Sequence, residues 1–181
     1  MLDYSLPAAF ARLDSLEVRW CLPVNSVARY RLVRNYFASV SRLGDGVAWY
    51  TLLAILPLVF GVGAILPCLH MALTGLAGVA IYKFLKRRLI RERPFHSHHG
   101  VLALVNPLDR YSFPSGHTLH AVSFTVMLAH YYPSLIWLVV PFAASVAVSR
   151  VVLGLHYPTD VLAGGLLGWL LAAASLAFLR I

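Results

Sequence analysis

The stretch Tyr111–Arg150, YSFPSGHTLHAVSFTVMLAHYYPSLIWLVVPFAASVAVSR, runs for thirty-nine residues without an Asp, Glu, Lys or Arg before the arginine that closes it. A helix needs roughly 20 residues to cross the hydrocarbon core of a bilayer. The interval is too long for one crossing and long enough for two, with the reversal at YYPS, Tyr131–Ser134. The same arithmetic applies on either side of it. Thirty-seven uncharged residues separate Asp45 from Lys83, and nineteen separate Asp160 from Arg180. These intervals predict helices near 47–67, 71–90, 116–132, 135–153 and 160–179, with the first hairpin turning at LPCLHM, Leu66–Met71. Short loops make neighbours antiparallel. The expected fold is an all-α, polytopic transmembrane helical bundle of about five spans.

Composition agrees with that reading. The 181 residues are 60% hydrophobic and only 12% charged, about half the charged share of an ordinary soluble domain, and mean hydropathy is +0.75. A formal charge of +8 on so apolar a chain fits anionic headgroups and a lipid bilayer, and nucleic acid is not expected. The start, MLDYSLPAAFARLDSLE, has no basic segment leading into an apolar core, so no cleavable signal is expected. Cys21 and Cys68 read as small buried hydrophobes rather than a disulfide or zinc framework.

Residues 1–46 differ from the rest. Leu6, Phe10, Leu13, Leu16 and Trp20 recur at helical spacing, as do Leu32, Val33, Tyr36, Phe37, Val40 and Leu43, with Arg31, Arg34 and Arg42 on the opposite arc. The pattern predicts an amphipathic interfacial segment, 1–46, ahead of a transmembrane domain, 47–181. Glu17 and Arg29 fall on the wrong arcs, and a helical hairpin packed on the bundle is the alternative.

Alternating crossings bring Asp45, Lys83–Arg110 and Arg150–Asp160 to one membrane face, where three motifs meet. KRRLIRERP sets Lys86 seven residues, about two turns, before Arg93, and Pro94 ends the helix. With Glu92 the only acid nearby, the pair reads as an anion cradle, while Arg87, Arg88 and Arg91 point elsewhere. A basic stop after a membrane helix explains the same residues more plainly. In YSFPSGHTLHA, Ser115, Gly116 and His117 open a helix whose free N–H groups and dipole favour a phosphate, although Ser-Gly is also an ordinary cap. His120 reads as a hydrogen-bonded core residue. In SRVVLGLHYPTD, His156 and Asp160 are four apart, so the carboxylate can hold one imidazole nitrogen and leave the other as a nucleophile. Lys86, Arg93 and Arg150 offset phosphate charge, His117 can protonate a leaving oxygen, and no metal or other cofactor is required.

These three motifs resemble, position for position, the signatures of the type 2 phosphatidic acid phosphatase and vanadium haloperoxidase superfamily, with SRLGDG, Ser41–Gly46, a weaker likeness. The resemblance covers residues 41–179. It implies a membrane lipid phosphatase working through a phosphohistidine, with His156 as nucleophile, Asp160 as its orienting carboxylate and His117 as general acid. Lys86, Arg93, Ser115, Gly116 and Arg150 would bind the phosphoryl group. Many membrane members have six spans; here the amphipathic segment stands where the first would be. A vanadate-dependent haloperoxidase and a non-catalytic lipid carrier are the rivals, the first disfavoured by the apolar composition and the second by the intact acid–nucleophile pair.

His96, His98 and His99 read as an exposed active-site lid rather than a metal site, and Asp45 as a helix cap. The substrate is a membrane lipid phosphate: phosphatidic acid, phosphatidylglycerophosphate or a polyprenyl-linked phosphate. Self-association is left open. Arg12, Arg19, Arg29, Arg31, Arg34, Arg42, Arg87, Arg88, Arg91 and Arg110 lie on the catalytic face against Arg180 on the other. This asymmetry predicts a cytoplasmic site in a bacterial inner membrane. A periplasmic site hydrolysing undecaprenyl pyrophosphate is the alternative.

Overall fold

A computed structural model describes residues 5–179, with side chains from Phe10 onward. Leu6 of the amphipathic pattern and Arg180 of the charge asymmetry lie outside that description. The described helices are α1 (Ser5–Ser26), α2 (Arg31–Arg42), α3 (Ala48–Phe60), α4 (Ile65–Arg88), the single turn α5 (Pro94–Ser97), α6 (Gly116–Tyr131), α7 (Ile136–Val152) and α8 (Pro158–Phe178). No strand occurs among the described residues.

Among the described residues, four helical stretches are long and apolar enough to cross a membrane: Arg31–Phe60, Val62–Arg88, Pro133–Val152 and Pro158–Phe178. The chain is an integral, multi-pass membrane protein. The central helix α6, counted in the sequence as a crossing, has only 16 residues, or roughly 24 Å of rise, and lies inside the bundle. Thr118, Leu119, Ala121, Ser123, Phe124, Met127 and Leu128 are all buried along it.

Two boundaries differ from expectation. The first hairpin turns at Gly61–Ala64, not at LPCLHM, which lies within α4. Gly61, at φ 74°, supplies the left-handed residue that stops α3, whereas Pro67, in the first turn of α4, removes only an N–H that had no partner there. The second difference is the end of α4, which stops at Arg88 and not at Pro94, so Lys86 and Arg93 do not share one helix face. α2 is joined to α3 through Leu43–Val47. Gly46, at φ 129°, makes the kink, and it bears directly on the site because Asp45 precedes it.

The apolar stripe of α1 faces outward, with Leu13, Leu16 and Trp20 exposed at 40%, 58% and 69%. Glu17, Cys21 and Asn25 of α1, and Ala28 just beyond it, are the buried face. In lipid the apolar exterior carries no penalty, and helices associate through close packing and polar contacts instead. Asn25 illustrates this, donating to the carbonyls of Leu102 and Val152 at 3.0 Å and accepting from the Leu102 N–H at 2.9 Å.

The most extensive helix pairing is α6 on α8. A Cβ at Gly164 would lie 2.4 Å from the Ser115 carbonyl oxygen, and one at Gly168 only 2.3 Å from that of Leu119. The two backbones therefore touch. A core of Trp49, Leu56, Met71, Phe124, Met127, Leu128 and Val146 fills the rest, with Trp49 stacked on Phe124 at 5.0 Å.

Candidate active site

The charged motifs do meet at one end of the bundle. A cavity of about 480 Å³ is lined there by Lys86, Arg93, Gly116, His117, Arg150 and His156, and continues between α3 and α4 along Trp49, Leu53, Ala72, Leu76 and Val79. Its head is cationic and its body apolar. A second, more polar cavity of about 380 Å³, bounded by Ser41, Arg42 and Asn106, reaches Arg150 from the other side.

His156 sits in the loop between α7 and α8 and is 1% exposed. Gly154, at φ 74°, turns the chain there, and a Cβ on it would collide with the Leu102 carbonyl oxygen at 2.3 Å. Arg93 donates to the Leu155 carbonyl at 2.7 Å and lies 3.3 Å from His156 Nε2. A guanidinium can only donate, so Nε2 is an acceptor and the ring proton sits on Nδ1. That atom faces Asp160 Oδ2 at 3.4 Å. Closing the gap by about 0.5 Å would give a normal hydrogen bond. Burial, then Arg93, Arg150, Lys86 and His117, hold the imidazole pKa well below its ordinary value. The ring is neutral, with its free nitrogen beside the cations.

The cations are themselves built in. Lys86 donates to Asp109 and to the Tyr111 carbonyl, both at 3.0 Å. Arg93 Nε donates to the Asp109 carbonyl at 2.9 Å. Burial lowers Arg93 to about 10 against the opposing pull of Asp109 and Asp160, and it stays charged at neutral pH. Arg150 is 3% exposed and donates to Ser41. His117 Nε2 pairs with the carboxylate of Asp45.

Not every expected ligand faces the cavity. Gly116 lines it, and a Cβ there would press on the Tyr82 ring at 3.3 Å. Ser115 is fully buried as the cap of α6; its hydroxyl lies 3.0 Å from that of Thr118, and its N–H donates to the Asp160 carbonyl at 3.0 Å. His120 has its Nδ1 2.9 Å from the Gly116 carbonyl and its Nε2 3.1 Å from that of Gly75, a neutral ring donating to one of the two, and it also lines the cavity.

Four readings of the sequence need correction. Arg91 does not point elsewhere: it is 1% exposed and bonds Asp160 Oδ1 at 2.6 Å. Glu92 is not the only acid near the cradle, because Asp109 occupies Lys86. Asp45 is the partner of His117 rather than merely a cap. Finally, His96, His98 and His99 line neither cavity; their segment packs on α1, with Gly100 against Leu22, and residues 108–109 flank the cavity instead.

The membrane bundle thus gathers three buried cations, a neutral oriented histidine and a second histidine around one cavity. Residues 63–180 match the PAP2 superfamily, and the chain belongs to that family. It is 42% identical over 80 residues to phosphatidylglycerophosphatase B of Haemophilus influenzae, covering 39% of this chain and 33% of that protein. It is 32% identical over 111 residues to undecaprenyl-diphosphatase BcrC of Bacillus subtilis, covering 61% and 54%. The matched stretch thus spans only 33–42% of the length of the first curated relatives. The crystal structure of Aquifex aeolicus LpxE superposes with a TM-score of 0.77 at 27% identity, over 90% of this chain and 95% of that one.

Proposed function

We infer that the protein is an integral-membrane lipid phosphate phosphatase. The observation that carries this is the single cavity in which Lys86, Arg93, Arg150, His117 and His156 share a head and apolar side chains form the body. His156 Nε2 attacks phosphorus, the bond to the lipid-side oxygen breaks, and His117 gives that oxygen its proton. Water then attacks the phosphohistidine, with His117 taking a proton from it, and inorganic phosphate leaves. Lys86, Arg93 and Arg150 hold the phosphoryl oxygens as charge builds on them, while Gly116 lets the group approach the start of α6. Ser115 shapes that helix start. Asp160 keeps the His156 proton on Nδ1.

Phosphatidic acid, phosphatidylglycerophosphate and polyprenyl phosphates or pyrophosphates all fit a cationic head over an apolar slot. Phosphate release from short-chain members of each class, by purified protein, tests the reading. Turnover should persist in EDTA, since fixed side chains provide the positive charge, and orthovanadate should compete with substrate as a mimic of five-coordinate phosphorus. Strict dependence on added Mg²⁺ would contradict it, as would vanadate-dependent halide oxidation without phosphate release.

Residues 1–46 are proposed to lie along the headgroups, with exposed Leu16 and Trp20 in the acyl region and exposed Arg12 and Arg19 above it. The arginine asymmetry supports a cytoplasmic site even after Arg91, which is consumed internally, is removed from the tally. In a variant lacking Cys21 and Cys68, an impermeant maleimide on intact cells should label Ser134→Cys and spare Ser97→Cys. The reverse pattern would move the site outside and favour undecaprenyl pyrophosphate.

A further inference from the structure

Arg91 is buried at the catalytic end, at 1% exposure, and three carboxylates converge on it from two helices, Asp14 and Glu17 from α1 and Asp160 from α8. Its Nη1 donates to Asp160 Oδ1 at 2.6 Å and to the Thr159 hydroxyl at 2.8 Å. Its Nη2 donates to Glu17 at 2.5 Å and to Asp14 at 2.7 Å, and Nε also donates to Asp14 at 2.9 Å. The guanidinium lies 4.1 Å above the Tyr157 ring and 5.1 Å from that of Phe10. Glu17 makes a second connection to the same helix start, accepting from the Thr159 N–H and hydroxyl, both at 2.7 Å. Thus α1 holds the first turn of α8 directly at Thr159 and, through Arg91, at Asp160.

The charge balance gives this arrangement its chemistry. One guanidinium held by Asp160 alone would draw that carboxylate into a closed ion pair and away from His156. Glu17 and Asp14 share the guanidinium, so Asp160 can hold Arg91 through Oδ1 while Oδ2 faces His156 Nδ1 at 3.4 Å and accepts the Tyr157 N–H at 2.9 Å. We propose that Asp14 and Glu17 of α1, acting through Arg91, are positioning residues that set the orientation of the Asp160–His156 pair, so that seating of α1 governs how well the nucleophile is aimed. None of the three touches the cavity that would hold the substrate. They act on the step of attack and not on phosphate binding. The inference rests on the phosphohistidine reading given above.

The test uses the full chain in lipid–detergent micelles, with short-chain phosphatidic acid as substrate and orthovanadate as the probe of the cradle. Glu17→Gln and Arg91→Lys should each lower kcat about 10- to 100-fold, as removal of an orienting partner behind a first ligand does. KM and vanadate inhibition should move by less than about threefold, because Lys86, Arg93 and Arg150 are untouched. Arg91→Lys should retain more activity than Arg91→Ala. The double variant Glu17→Gln with Arg91→Lys should cost little more than the worse single change, since both act through one contact. Exposed Arg87, replaced by Ala, should behave as wild type. If Arg91→Ala does not assemble, Glu17→Gln decides the matter, because it keeps the side chain's size. Unchanged kcat in folded Glu17→Gln and Arg91→Lys overturns the proposal. So does a loss of kcat matched by lost vanadate affinity and tracking a lower melting temperature, the signature of a purely structural brace. Residual turnover in His156→Ala would instead sink the phosphohistidine reading itself, which separates the two failures.

Discussion

Two buried polar clusters occupy opposite ends of this bundle, and they are built on opposite rules. Near the α3–α4 turn end, His70 is 2% exposed, its Nδ1 lies 2.6 Å from the Tyr131 hydroxyl and its Nε2 2.6 Å from that of Ser175. Thr74 completes it, donating to the His70 carbonyl at 2.9 Å and lying 2.9 Å from Ser175 Oγ. Thr74 spends its proton on the His70 carbonyl, so Ser175 donates to Thr74 and accepts from the His70 Nε2–H, while Tyr131 donates to Nδ1; the cluster closes on itself with one tautomer. At the other end the groups are ionic, and the pairing is incomplete: His156 Nδ1, the proton-bearing nitrogen, has no partner within good hydrogen-bond geometry, and neither does Arg150 Nε. A self-satisfied cluster ties helices together. One with a free lone pair beside unspent positive charge can do chemistry.

The sharpest way to break this contrast is at His156. His156→Ala should remove turnover, and an acid-labile phosphoenzyme trapped from the parent protein should be absent from the variant. His117→Ala should lose roughly 10²–10⁴-fold in kcat, and less with substrates whose leaving group needs no proton. A series of aryl phosphates of falling leaving-group pKa measures that narrowing.

The other cluster should respond in the opposite currency, stability. Ser175→Ala should leave kcat within about twofold while lowering the melting temperature by an amount equivalent to about 1 kcal/mol, the scale of one hydrogen bond between membrane helices. A catalytic defect there with unchanged melting would erase the distinction between the two ends. The smallest effect is expected at Asp109, whose carboxylate competes with the phosphoryl group for Lys86. Asp109→Asn should lower KM by about two- to fivefold with kcat nearly constant, a change confined to ground-state binding, seen in initial rates across substrate concentration.

The bundle and the cradle were legible in the sequence because both are written in local terms. Charge-free intervals count crossings, and Lys86–Arg93 and His156–Asp160 are short separations at helix ends, although α4 stops at Arg88 and His156 precedes α8, so neither pair shares a helix. What escaped was set by pairings across long separations. Asp14 and Glu17 reach Arg91 over 77 and 74 residues, and Asp45 reaches His117 over 72. One signal was present: Glu17 broke the amphipathic pattern of α1, and the residue that spoiled the pattern is the one buried against the site. The stripe's apolar side faces outward, away from the bundle, so it says nothing of what the other side of α1 grips. Residues 66–71 read as a turn because proline and histidine interrupted an apolar run; inside α4, His70 instead finds its partners on α6 and α8.

The glycine seam between α6 and α8 has a mechanical corollary. His117 rides on α6, Asp160 on α8, and the Ser115 N–H to Asp160 carbonyl bond joins the two beside the reacting groups. With Gly164 and Gly168 leaving no clearance, this pair behaves as one casting. The apolar slot is walled mainly by α3 and α4, of which α4 also packs on α6 and α3 stacks Trp49 on Phe124. On the proposed reading, a bulky acyl chain would press first on the α3–α4 wall, whose two helices meet far less extensively than α6 and α8 do.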